Sequence, residues 1–191
     1  MTASTEPRAA ARIPLNRDRV LRAAIALADE AGIEAVTMRR LGQELGVEAM
    51  SLYNHVANKD DLMTGMIEAL MVEIGEATAD VTPPADPDDW KRAMRQRIMG
   101  ARSVMLRHPW APGVFESRTE MIPPVVAYFD DLLGIMRTGG FSWDLGHHAM
   151  HALGSRALGF TQELFVPADE DEEPSPVEME QLKAAFPNIG G

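Results

Sequence analysis

Residues 37–59, TMRRLGQELGVEAMSLYNHVANK, decide the fold of this chain. They read as two short helices around a glycine turn. Thr37 can cap a helix that carries Leu41 and Leu45, and Gly46 can end it. A further helix is expected over about Ala49–Val56. A helix-turn-helix needs a small residue where its helices cross and a glycine in its turn. Gly42 and Gly46 stand at those places. Leu41, Leu45, Val47 and Leu52 then form the buried seam. That leaves Glu48, Ala49, Met50, Ser51, Tyr53, Asn54 and His55 around the exposed side. Small residues there let a helix sit in a major groove about 12 Å wide. Tyr53, His55 and Lys59 can donate to phosphate oxygens and fix the register. Thr37 opens a helix, where unpaired N–H groups also attract phosphate. Arg39 can fork onto a guanine edge. On an ordinary helix, Tyr53 and His55 would instead be half-buried packing residues.

Working outward, Val20, Leu21, Ala24, Leu27, Ala28 and Ala31 recur at helical spacing, with Asn16 as cap and Gly32 as stop. Asn58 caps a connecting helix over about 59–78, with Asp60 and Asp61 at its positive end. Its apolar stripe is Leu62, Met66, Ala69, Leu70 and Ile74. Residues 81–89, VTPPADPDD, read as a linker. A helix from Trp90 to about Arg107 is broken by Pro109, and the proline-rich 109–124 is expected to hold only short turns. Further helices are expected from Pro123 or Pro124 to about Arg137, from a Ser142 cap to about Phe165, and over about Pro176–Phe186. Residues 1–14 read as a flexible arm, and the acidic run at 167–178 as a mobile loop. No stretch has strand periodicity, so the class is all-α.

The 191 residues carry a net charge of −11, which at first argues against a nucleic-acid partner. Its distribution decides otherwise. Residues 1–60 hold eight Arg/Lys and eight Asp/Glu, whereas residues 61–191 hold ten against twenty-one. Local sign governs contact with phosphates, so a neutral head on an acidic body is compatible with DNA. The chain has no cysteine, which removes disulfides, thiol catalysis and cysteine-ligated zinc. The opening MTASTEPRAAARIPLNR lacks a signal-peptide core, and no apolar run reaches the roughly 18 residues that span a bilayer. A cytoplasmic location, with no membrane partner, is the expectation.

The stretch GIEAVTMRRLGQELGVEAMSLYNHVANKDDLM, residues 32–63, resembles the TetR family of one-component bacterial regulators, and LYNHVANKDDL is similar to its tetracycline-repressor-like branch. The strong resemblance covers about a third of the chain. It implies a helix-turn-helix DNA-binding domain over 15–60 and a helical effector-binding and dimerisation domain over 81–191. It places phosphate contacts on Thr37, Tyr53, His55 and Lys59, and base contacts on Arg39 and Glu48, Ala49, Met50 and Ser51. That branch carries glutamine and proline where this chain has Ala49 and Met50. Neither residue makes a bidentate base contact, so a different operator is implied. The expected function is a ligand-responsive regulator, most simply a repressor, acting as a homodimer on a palindromic duplex, with no cofactor.

Within the body, the stretch at 144–165, DLGHHAMHALGSRALGFTQELF, suits a dimer helix. Leu145, Met150, Leu153, Ala157, Leu158 and Leu164 supply apolar surface, and Gly146, Gly154 and Gly159 allow close approach. A buried core helix is the other reading. Met94, Met105, Trp110, Phe115, Met121, Met136 and Trp143 are candidate pocket walls, with His147 and His151 as polar lining. Methionine and aromatic surfaces adapt to apolar ligands, and equally build plain cores. The resemblance sets Phe115 where the branch carries a histidine that helps hold a magnesium–drug chelate. Branch members commonly continue into one more dimer helix beyond the position of Gly191. Two other functions compete. A metal-dependent enzyme could use His147, His148 and His151, although no carboxylate follows at the spacing of a metalloprotease helix, and no metal is expected. An acidic helical interaction module could dock a partner through 167–180.

Overall fold

The computed structural model describes residues 14–81, 84–118, 122–157 and 176–188, and among them it is helical with no strand. Helix α1, Arg17–Ala31, starts where the Asn16 side chain accepts from the Arg19 N–H at 2.8 Å. It buries Val20, Ala24, Leu27 and Ala28 of the predicted face, while Leu21 is half-buried and Ala31, at the helix end, is exposed. A single 3-10 turn, Ile33–Ala35, leads to α2, Met38–Leu45, whose N–H of Arg40 is capped by Thr37 Oγ1 at 3.2 Å. Helix α3 spans Ala49–Leu52, shorter than its expected reach to Val56. The carbonyl of Leu52 accepts from both His55 and Val56, at 2.9 and 3.0 Å, so the chain turns there. Leu52 and Val56 are both fully buried. The turn keeps that apolar spacing while Asn58 takes the extended geometry that caps the next helix.

Helix α4, Lys59–Ala77, buries far more than a stripe, including Leu62, Met63, Met66, Ile67, Leu70, Met71 and Ile74. It is the wall shared by head and body, packed on α1 on one side and on the body helices on the other. The linker holds a 3-10 turn, Pro87–Asp89, and runs directly into α5, Trp90–Arg107. The expected turn region contains a helix, α6, Ala111–Glu116. Pro112 sits in its first turn, where its missing N–H is not needed. Helices α7, Pro123–Thr138, α8, Trp143–Ala157, and α9, Pro176–Ala185, follow. Residues 176–178, read as part of the acidic loop, lie in α9. After α9, Asn188 returns to α7: its backbone N–H and side-chain amide both donate to buried Asp130, at 2.7 and 3.1 Å. One continuous apolar core runs from Val20 in α1 to Met150 in α8. The arm before residue 14, Met121, residues 158–165 of the expected dimer helix and residues 167–175 of the acidic run lie outside the described residues.

Candidate DNA interface and its ties to the body

The crossing of α2 and α3 is tight because residue 42 has no side chain. A Cβ built on Gly42 would stand 2.9 Å from the Val47 carbonyl oxygen and 3.1 Å from the Ala49 nitrogen. The turn between them uses Gly46 at φ +66°, a left-handed conformation that glycine adopts without strain. Leu41 and Leu52 close the seam completely, and Leu45 and Val47 pack half-buried against it.

The outer side of this unit carries the predicted contacts. Met50 is 72% exposed and Tyr53 44% exposed, and Thr37, Arg39, Glu48, Asn54 and Lys59 are exposed as well. Ala49, Ser51 and His55 are half-buried, because Ala49 turns toward Gly42 and His55 lies in the turn before α4. Thr37 combines two tasks: its hydroxyl caps α2, while its position leaves the helix end open to solvent.

A pairing that sequence reading missed holds the end of this unit in place. Arg17 forks onto Asp61, Nη1 to Oδ2 at 2.9 Å and Nη2 to Oδ1 at 2.7 Å. Arg17 also donates to the His55 carbonyl at 3.3 Å, and Asp61 accepts the Ala57 N–H at 2.7 Å. The hydrogen bond from Arg17 dominates and holds the Asp61 carboxyl below its ordinary value despite partial burial. The same bond raises Arg17. The pair joins the first turns of α1 and α4 around the chain that follows α3. Its members are 44 residues apart, so no local periodicity could reveal it.

In the body, Met94, Met105, Trp110 and Met136 are buried in the common core, and Phe115 packs half-buried against it. Trp143 lies elsewhere. It is 37% exposed, with the Arg137 guanidinium 4.4 Å above its ring. His147 and His151 sit together on α8, Nε2 to Nε2 at 3.0 Å, the first exposed and the second half-buried. Among the described residues no group of three or more His, Asp or Glu side chains is arranged so that it could hold a metal ion. Met150 is buried, and a Cβ on Gly146 would approach Leu133 to 3.2 Å, so both serve packing on α7. The exposed side of α8 carries Leu145, His148 and Ala152 instead. Burial pushes the Tyr128 phenol of α7 up to about 12, so it stays neutral beside Arg97 of α5.

Together these features define an all-α protein whose N-terminal helix-turn-helix rides on a helical body. The family description "bacterial regulatory proteins, tetR family" matches residues 20–66, and "tetracyclin repressor-like, C-terminal domain" matches residues 82–189. The chain belongs to the TetR family. It is 34% identical over 148 residues to the tetracycline repressor protein class D of Escherichia coli, covering 76% of this chain and 64% of that protein. It is 32% identical over 130 residues to the HTH-type transcriptional repressor DrrR1 of Streptomyces coeruleorubidus, covering 67% of this chain and 46% of that protein. The crystal structure of ActR from Streptomyces coelicolor in complex with actinorhodin superposes with a TM-score of 0.63 at 25% identity, covering 93% of this chain and 85% of that one. The alignments thus span less than two thirds of the length of both curated relatives.

Proposed function

We propose that this chain is a ligand-responsive transcriptional repressor that binds a palindromic DNA operator as a homodimer. The observation that carries the reading is the α2–α3 unit. Its crossing is closed at Gly42 while Arg39, Met50, Tyr53 and Lys59 are all exposed. Arg39 and the Glu48–Ser51 turn read bases, and Thr37, Tyr53, His55 and Lys59 hold phosphates. One short helix reads too few base pairs, so two copies engage half-sites about 34–36 Å apart. The exposed side of α8, including Leu145 at 54% exposure, contributes to the pairing of subunits.

A small-molecule effector binds among α5, α6 and α7, near Met94, Met105, Phe115 and Met136, and favours a head spacing that no longer fits the operator. It acts only through better binding to the released state. The relatives support this sense of regulation, since two are named repressors and one solved neighbour is a complex with actinorhodin. Phe115 in place of a chelating histidine points away from a magnesium-bound drug. A cytoplasmic location follows from the DNA partner, and among the described residues no helix is long and apolar enough to cross a membrane.

Selection from a random duplex pool at low salt tests the reading. Enrichment of a two-fold symmetric motif, shifted in a gel by the wild-type chain, is the expected result. Recovery of no motif over repeated rounds would overturn it.

A further inference from the structure

Five side chains meet where α1, α4 and the turn between α5 and α6 come together. His108 Nδ1 lies 2.7 Å from Asp29 Oδ1, and its Nε2 lies 3.0 Å from Glu73 Oε2. The Trp110 indole N–H donates to the same Asp29 oxygen at 2.7 Å. Arg107 completes the group by donating to Glu73 Oε1, through Nε at 3.2 Å and through Nη2. His108 and Trp110 are both buried, and their rings meet edge to face at 5.9 Å. Burial pushes the Glu73 carboxyl up, and the bonds from Arg107 and His108 more than offset this, leaving it below its ordinary value.

The placement of these groups matters more than their number. Asp29 is in the last turn of α1, inside the head, and Glu73 is on the connecting helix. Both are held by residues of the body, across 79 and 35 residues of sequence. The first turn of α1 is already tied to α4 by Arg17 and Asp61. His108 and Trp110 therefore secure the far end of the same helix. They are also the residues that lead directly into α6, at Ala111, next to the methionine-rich interior.

We propose that His108 and Trp110 are positioning residues for DNA recognition. They hold Asp29 and Glu73 so that the head keeps one tilt on the body. The consequence for DNA rests on the repressor reading above, whereas the tilt itself does not.

The test uses Trp110→Phe, which keeps a buried ring and removes one donor, and His108→Gln, which keeps a single donor, alone and combined. The chain has no cysteine, so Glu44→Cys on α2 and Arg102→Cys on α5 carry spin labels at two exposed places only. Labelled chain is mixed with excess unlabelled chain, so that the head-to-body distance within one subunit is read. The expected result is a single narrow distance in the parent and a broadened or displaced distribution in the combined variant. Affinity for the duplex selected by the wild type should fall about fivefold or more, within the usual range of coupling between sites. A lower melting temperature with an unchanged distance distribution assigns the group to packing alone and overturns the proposal. If the combined variant does not fold, Trp110→Phe alone is held to the same two outcomes. If the wild type selects no duplex, the repressor reading falls, and the distance arm alone still decides whether the two residues set the tilt.

Discussion

Replacing Gly42 by alanine tests the α2–α3 crossing, and Gly75 supplies its control. Both glycines lie in helices, so both replacements gain about 1 kcal/mol of helix propensity. Their surroundings differ. A Cβ at residue 42 stands 2.9 Å from the Val47 carbonyl oxygen, a backbone atom that cannot rotate away. A Cβ at residue 75 meets nothing within 4 Å. The difference between the two variants therefore isolates the steric cost, which overpacking of this kind puts at about 1–3 kcal/mol. Gly75→Ala should be more stable than the parent, and Gly42→Ala less stable than Gly75→Ala by that margin. Thermal unfolding followed by circular dichroism resolves it, since each kcal/mol moves the midpoint by about 2–4 °C in a domain of this size. Because the clash pushes α3 away from α2, Gly42→Ala should also bind the selected duplex more weakly, and Gly75→Ala should bind it normally. If the two variants are equally stable, or Gly42→Ala is the more stable, the tight crossing is refuted.

Other outcomes follow from the same geometry. Tyr53→Phe combined with Lys59→Ala should weaken binding to all duplex sequences alike and shrink the salt dependence by about one phosphate contact, read from titrations at several salt concentrations. Arg39→Ala should relax preference at one base pair by about 1–3 kcal/mol if its contact is bidentate, which repeated selection with the variant would show. Asp61 and Glu73 both lie below their unfolded values of 3.8 and 4.5. Their stabilisation is thus full above those values and lost as pH falls through the lower folded ones. Asp61→Asn should lower the melting temperature at pH 7 and reduce the acid-side loss. An acid limb of the same slope in Asp61→Asn and the parent would contradict the role given to the Arg17 pair.

Much of the fold was legible because it is local. The Asn16, Thr37 and Asn58 caps each accept from the N–H three residues on, which is the spacing that marks them in sequence. The bounds of α1, α2 and α5 follow from those signals and from apolar periodicity. Two local readings went astray. Leu52 and Val56 have helical spacing, yet the chain must turn a corner before Asn58, so α3 ends early. Prolines suggested turns after residue 109, but Pro112 falls where a helix start tolerates it.

The exposure of Glu48, Met50, Tyr53 and Asn54 was also readable, because it follows from the buried seam by elimination, whereas Ala49, Ser51 and His55 of the same set are half-buried. The body was less so. Met94, Met105 and Met136 do share a core, whereas on α8 Trp143 and His147 are exposed and His151 is half-buried. Periodicity says that a residue lies on a face, and only packing says which neighbour that face meets. The Arg17–Asp61 pair and the group around His108 join residues 34 to 81 positions apart. Each member looks like an ordinary surface charge or aromatic until the helices are assembled.

The central claim is that the α2–α3 units of two copies read one duplex. A hydroxyl-radical footprint of the wild-type chain on its selected duplex tests it most directly. The account predicts two protected patches on one face of the DNA, about one helical turn apart, that fade together when Tyr53 and Lys59 are replaced. Uniform protection without that spacing, or protection indifferent to those substitutions, would contradict it.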